Sequence, residues 1–502
     1  MGLGPIERRR FLQGLLASAG LGAVGTAPML VPQARAEDGE PRFLIVFGCF
    51  GGASMLDCFL PVDTSEAFSG SRGTVFSHSV VQPEGSNLRC PYRTTPYNFL
   101  VDHGNESLVL GFQASSVNHF EAQRRVMNGR GAFEGRTLPE AVAATWGANM
   151  PLPNVTMGRA GFAEPGTDPA LDSRYVAEVV TNPVTFALST SGHAGVIENG
   201  SRALQDPDAR AELVALARSV RDEHLESSSG FAQTFPSSRL RQTLLSRRTS
   251  GEVAIEEARL IQELLFVPDL GDIFPLSQYG LAASDEADLV LDYLHDAWPT
   301  STSGIADDPL QAQAALAYLL IRTGTSAAVT LTDPGTDGFL AFDQSHFDHA
   351  NGQADHWDRA LDTASRLIQL LKQAEWHDKD GQATGTSYWD RTMIVFATEF
   401  GRDKFDNGRD ATGHVMNNGL LVVSPMVEGN QALGEVDPNN GYICGYDLET
   451  GEPTPFDGVT PGEDPLYDDE RLPPGETTIY GALSKVLGVD FEGRETIPAI
   501  EA

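Results

Sequence analysis

Phe43-Leu44-Ile45-Val46-Phe47-Gly48-Cys49 carries no charged residue, and Gly51-Gly52-Ala53-Ser54 follows it at once. A strand with one wet face would alternate apolar and polar positions. An unbroken apolar run instead fits a strand buried on both faces, as in a parallel sheet covered by helices. The glycines after it predict a loop at the strand's carboxyl end.

Further strands are expected at Leu108–Phe112, Ala327–Leu331, Thr392–Thr398 and Gly419–Ser424. Helices are expected at Phe120–Asn128, Ala141–Trp146, Pro309–Arg322, Ala354–Trp376 and Thr477–Leu487. Thr137 and Glu140 have capping-box spacing ahead of the second of these. Residues 204–297 are rich in Leu, Ala, Arg and Glu at helical spacing, with a joint at Ser227-Ser228-Ser229-Gly230, and predict a helical insertion. Strands alternating with helices give the fold class: α/β, with a mostly parallel central sheet and helices on both faces. Such sheets bind ligands at the carboxyl ends of their strands.

The chain has 502 residues, 41% of them hydrophobic, so it can bury a sizeable core. Lys and Arg number 35 against 69 Asp and Glu, a formal charge of −34. With no basic patch to offset that charge, nucleic acid and anionic lipid surfaces are not expected partners. The lysines are only Lys372, Lys379, Lys404 and Lys485.

Glu7-Arg8-Arg9-Arg10-Phe11-Leu12-Gln13 fits a twin-arginine export signal. A modestly apolar stretch from Gly14 to Val31 follows and ends at Ala34-Arg35-Ala36, an A-x-A cleavage pattern. Residues 1–36 are therefore expected to be removed, leaving one domain over 37–502 in the periplasm or outside the cell. No other run is long and apolar enough to span a membrane. The four cysteines, Cys49, Cys58, Cys90 and Cys444, lack C-x-x-C spacing, so a structural zinc site is not expected. Export would permit disulfides, with three connectivities open.

Three polar clusters follow strand-like runs. Gly51 to Asp57 is the first. Asp343-Gln344-Ser345-His346-Phe347-Asp348-His349 is the second, with His356 close behind. Glu399-Phe400-Gly401-Arg402 is the third, with His414 downstream. Asp, Glu and His together ligate divalent metals. The expected metal residues are Asp343, His346, His349, His414 and Asp57, and the expected ion is zinc, manganese or calcium. Glu399 is expected as a ligand or general base. Arg402 is expected to offset negative charge on a substrate. His119, near a helix N-terminus, could meet an anion or a metal. No G-x-S-x-G elbow, P-loop or dinucleotide fingerprint is present, and Ser54, Ser115 and Ser116 are the loop serines near strand ends.

At these residues the chain resembles the family called domain of unknown function 1501, twin-arginine-exported bacterial proteins of the alkaline phosphatase/sulfatase-like superfamily. The matching pieces are Gly51-Gly52-Ala53, His119-Phe120-Glu121-Ala122-Gln123, Asp343 to His349, Glu399-Phe400-Gly401-Arg402, Asp410 to His414, and Thr477-Thr478-Ile479-Tyr480 running into Leu487-Gly488-Val489-Asp490. The resemblance implies an alkaline phosphatase-like fold and a metal site at the strand ends. It puts the first metal on Asp343, His346 or His349, and His414, with Asp57 or Ser54 serving a second. It departs from the superfamily where a Ser, Thr or Cys nucleophile should head a helix, since His119 and Phe120 stand there. A late Asp-His pair is also replaced by Glu399-Phe400.

The expected function is a metal-dependent hydrolase-like protein acting on small anionic esters of phosphate or sulfate. Two alternatives remain: a non-catalytic exported binding protein that kept the fold and lost the nucleophile, and a surface-assembly or carbohydrate-handling protein.

Overall fold

The computed structural model describes residues 40–125, 127, 135–158, 166–190, 260–271, 276–298, 306–333, 335, 341–378, 381–409, 411–466, 469–491 and 496–501, with isolated positions between 212 and 233. The expected signal at 1–36 lies outside them, as does most of the expected insertion. Within that insertion the described residues include the short helices Leu260–Glu263 and Ala287–Tyr293.

The centre is one sheet of eight strands: β1 (Phe43–Cys49), β2 (Ser107–Gln113), β3 (Asn154–Met157), β4 (Glu178–Val180), β5 (Ala328–Thr332), β6 (Thr392–Thr398), β7 (Asn417–Val423) and β8 (Gln431–Leu433). Their order across the sheet is β8-β2-β7-β6-β1-β5-β3-β4. Every neighbouring pair is parallel except those made by β7, which runs against both β6 and β2. The sheet is thus mostly parallel, and the three runs expected to share it, in β1, β5 and β6, are adjacent. β1, β6 and β7 are buried along their whole length, which is why β1 and the middle of β6 are continuous apolar runs, while β7 opens on Asn417 and Asn418, whose buried amides donate to the Ile443 and Ala53 carbonyls.

Six helices matter for the site: α1 (Thr94–His103), α2 (His119–Arg125), α3 (Leu138–Trp146), α4 (Pro309–Arg322), α5 (His349–Gln373) and α6 (Glu476–Val486). α3 begins with the expected capping box, Thr137 and Glu140 each accepting the other's backbone N–H. α4 has the expected bounds, capped by the Asp308 carboxylate. α5 starts one to two turns before the expected Ala354, because Asp348 caps it by accepting from Asn351 N–H. It stops at Gln373, and Trp376 lies instead in a short strand, Glu375–His377. α5 packs on α1 and α4, while α3 packs on β1, β3 and β5 and against α6. Phe47 and Phe396 stack at 4.9 Å across β1 and β6, and Trp357 of α5 covers Phe396. Burying each such aromatic stabilises the fold by about 1.5–3 kcal/mol.

All four cysteines are buried free thiols. Among the described residues, no helix is long and apolar enough to cross a membrane.

One lysine is out of place. Lys404 is 3% exposed, and its ammonium donates to the Asn417 carbonyl at 3.0 Å. Burial pushes its amine down to about 7, against the pull of Asp57 and Asp403. Between about pH 7 and the ordinary lysine value, the unfolded chain therefore binds the extra proton, and stability rises with pH. Lys404→Met is expected to remove that rise. The difference in unfolding free energy between variant and native chain should shrink by roughly 1.4 kcal/mol per pH unit across this window. Urea unfolding of both at pH 7 and pH 9 checks it, and an unchanged difference refutes it.

Candidate metal centre

Three parallel strands end in register. Cys49 of β1 stands opposite Thr398 of β6, and Gly48 opposite Thr332 of β5. The loops that leave them meet above this edge. β7 contributes from its other end, because an antiparallel strand starts where its neighbours stop; its Asn417 pairs with Gln113, the last residue of β2.

Four side chains converge there: His119, Asp343, His346 and His414, each offering a ligand atom within 4.8 Å of the others. His119 opens α2 after β2, and Asp343 and His346 lie in a 3-10 turn, Ala341–His346, after β5. His414 belongs to the two-residue strand His414–Val415, which pairs with Gly401–Arg402. The Nε2 atoms of His346, His119 and His414 lie 3.2, 3.4 and 3.8 Å from Asp343 Oδ1. His346 Nε2 is 2.8 Å from His414 Nε2. Ligands at zinc–nitrogen and zinc–oxygen distances in a tetrahedral shell stand about 3.4 Å apart, so the spacing fits a single ion.

The tautomers fit as well. His414 Nδ1–H donates to the Val117 carbonyl at 2.9 Å, which leaves the Nε2 lone pair aimed into the cluster. His119 Nδ1–H donates to Glu399 Oε1 at 3.0 Å, so its Nε2 likewise faces inward. Phe50 stacks on His119 at 5.4 Å, and Phe400 stacks on His414 at 4.1 Å, fixing both rings.

Charge is concentrated on Asp343. Burial alone would raise its carboxyl, but the neighbouring His119, His414 and Arg402, the last donating at 2.8 Å, hold it far below the usual carboxylate range. His119 responds in reverse. Burial would lower it, yet Asp343 and Glu399 on either side push it up to about 9. Burial, then the Arg402 charge, lowers His346, which favours the neutral ligand form.

Asp343, His346 and His414 thus come together as expected, and His119 joins them as a fourth inward-facing group. Glu399 does not share this set. It is fully buried and accepts from His119, from Gln123 Nε2 at 3.0 Å and from Gly51 N–H at 2.7 Å, so it orients His119 and has no opening for a substrate proton.

Arg402 is also enclosed. It donates to the carbonyls of Gly51, Gly52, Phe342 and Thr412 and, at 2.8 Å, to Asp343 Oδ1. Its side chain has no exposed surface, so it cannot meet a substrate anion. Gly51 must be glycine: its φ is +96°, and a Cβ there would lie 2.0 Å from the Asp343 backbone nitrogen.

Asp57 and His349 stand apart from the cluster. His349 Nε2–H donates to Asp57 Oδ2 at 3.2 Å, and His78 Nε2 meets Asp57 Oδ1 at 3.0 Å. Ser54 is buried, its backbone held by Gln353 and Trp357, and is no exposed nucleophile. Gln123, one turn after His119, supports Glu399; the i, i+4 spacing in His119-Phe120-Glu121-Ala122-Gln123 is the signal that could have found it. His78 has no comparable signal in its neighbourhood.

The cavity lined by Phe59, Leu88, Arg89, Asn430 and Glu435, about 550 Å³, includes none of the four converging residues. Comparison with known family models and with curated proteins finds no match.

Proposed function

We propose that the chain is an exported metal-dependent hydrolase of alkaline phosphatase-like fold that acts on small phosphate or sulfate esters. The observation that carries the reading is the convergence of three imidazoles and one carboxylate at the carboxyl edge of a mostly parallel sheet. Three nitrogens and one oxygen suit zinc or another first-row transition ion; calcium takes oxygen ligands, so it is disfavoured. A divalent ion bound there would supply a Lewis acid, and would acidify a water only where its shell widened to five or one of the four side chains stood off.

The chain's own residues do the rest. Glu399 and Val117 fix the tautomers of His119 and His414. Arg402 keeps Asp343 ionised. The side chains of His119 and His346 are 31% and 34% exposed, so the cluster has a face that a small ester can reach.

A second reading is a binding protein without catalysis. It is favoured by the enclosure of Arg402, which leaves that cation unavailable to the substrate. Elemental analysis of the purified full chain, with hydrolysis of an aryl phosphate and an aryl sulfate, separates the two. The hydrolase reading expects about one transition ion per chain and ester cleavage that a chelator abolishes and zinc restores. Bound ion without cleavage of either ester supports the binding protein, and absence of stoichiometric metal defeats the metal reading.

A further inference from the structure

We infer that His349, Asp57 and Thr412 are positioning residues that set where His414 stands against His346 and Asp343. The inference rests on the metal reading above. His349 is the first residue of α5 and is 1% exposed. One ring nitrogen, Nε2, meets Asp57 Oδ2 at 3.2 Å, and the other, Nδ1, meets Thr412 Oγ1 at 3.0 Å. Asp57 belongs to the loop after β1, and Thr412 lies two residues before His414. One imidazole therefore ties three segments together, and neither of its nitrogens is left over for an ion.

Thr412 is held from two further sides. Its N–H donates to the Ser345 carbonyl at 2.9 Å, and Ser345 is the neighbour of His346. Its own carbonyl accepts from Arg402, which also donates to Asp343. The side chain of His349 is the third fixed point. The Thr412 hydroxyl also lies 3.3 Å from the Ser345 carbonyl, and the next residue, Gly413, is bonded through both its N–H and its carbonyl to Asp403, so the His349 contact adds a sideways brace to a loop already held along its backbone. With it, His414 Nε2 can be held 2.8 Å from His346 Nε2 and aimed at the same point. Asp57 keeps the ring in place. Burial would raise its carboxyl, but His349 and His78 hold it well below the ordinary range, so it remains an anionic acceptor. His78, 28% exposed at the side chain, fixes the other carboxylate oxygen. Groups bonded directly to metal ligands typically change affinity 10–100-fold, and His349 acts one step further out, through Thr412, so the lower end of that range is expected.

The test uses the full chain loaded with zinc or cobalt. Thr412→Val removes the hydroxyl, and Thr412→Ser keeps it. His349→Gln keeps an amide near the place of Nε2 and loses the Thr412 contact; His349→Asn keeps one near Nδ1. Zinc affinity by chelator competition and the visible spectrum of the cobalt form are read for each. Thr412→Val and His349→Gln are expected to bind zinc roughly tenfold more weakly and to shift the cobalt bands, while Thr412→Ser stays near native and His349→Asn, which keeps the Thr412 contact but loses Asp57, falls between. A purely structural role would lower the urea midpoint and leave the cobalt bands unmoved. If Thr412→Val binds zinc within about twofold of native and gives native cobalt bands, the positioning role is wrong, whatever happens to stability. Should His349→Gln not fold, the Thr412 pair decides alone. If the native chain takes up neither ion, the metal reading fails first, and the inference falls with it.

Discussion

Arg402→Ala is expected to destabilise the fold by about 3–5 kcal/mol, the largest stability loss of any single change at the site. The guanidinium is buried and donates to backbone carbonyls from three separate segments: Gly51 and Gly52 after β1, Phe342 in the 3-10 turn, and Thr412 ahead of His414. It also faces the Asp343 carboxylate. Alanine would leave these acceptors buried without a donor, and each unmet group costs about 1–3 kcal/mol. Water entering the vacated space would recover part of that, which keeps the net below the sum. Arg402→Lys tests the geometry separately from the charge. An ammonium is a point donor and cannot serve acceptors spread across a planar fork, so lysine is expected to recover less than half of the loss. Urea unfolding of the three proteins at pH 7 gives the ordering. A lysine variant as stable as the native chain would show that only the charge matters, and an equally stable alanine variant would remove Arg402 from the architecture altogether.

That role was hidden in the sequence. An arginine four residues past a strand reads as a candidate for anion binding, because its exposure and its carbonyl partners leave no trace in residue type. The fold was more legible. β6 has the expected bounds and β1 the expected run, because a strand buried on both faces must be apolar throughout. The direction of β7 was not legible, since a strand's pattern is the same read either way. Its reversal brings His414, three residues before β7, to the working edge ahead of its sheet strand, whereas Asp343 follows one. The start of α5 was missed for a related reason. Its first turns, His349-Ala350-Asn351-Gly352-Gln353, serve the loops above the sheet as well as the core: Gln353 donates to Gly52 O and Ser345 Oγ. Apolar periodicity therefore begins later than the helix. Among the histidines, residue type pointed to metal but could not sort His346 from His349. They are three residues apart and differ in which way the turn into α5 rotates them: one is about a third exposed, the other buried against Asp57. His119 was visible as a histidine at a helix start and within the piece His119–Gln123 that carries the resemblance, but its partners Asp343 and Glu399 lie hundreds of residues away.

His414→Ala is expected to lower the affinity for zinc by roughly two orders of magnitude or more while leaving the chain folded. The physical reason is that an ion gives up its hydration only for a full set of ligands; even partners outside that set shift affinity 10–100-fold, so a ligand itself counts for at least as much. The ring also stacks on Phe400 and meets His346, so some stability is lost with it, but its one backbone partner, Val117 O, can be satisfied by water and no buried charge is stranded. Asp343→Asn should also abolish binding, but it strips the Arg402 partner of its charge, so its unfolding midpoint is expected to fall too. The contrast between the two variants separates the ion site from the brace beneath it. His295→Gln, at a histidine whose side chain is 53% exposed and outside the converging set, is the control and should bind zinc as the native chain does.

Acidity sharpens the same experiment. A cation arriving at the cluster must displace the proton of His119, which its carboxylate neighbours hold up to about pH 9. Apparent affinity should therefore rise by about tenfold per pH unit through neutrality and level off near that value. His119→Gln, which has no proton to displace, should bind more weakly and lose this part of the slope. Zinc affinities by chelator competition at pH 6, 7 and 8 for the native chain, His414→Ala and His119→Gln supply every comparison. If His414→Ala keeps native affinity, or the native chain binds zinc equally well from pH 6 to pH 8, these four residues do not hold the ion. The ester hydrolysis proposed for them would then have to be sought elsewhere in the molecule.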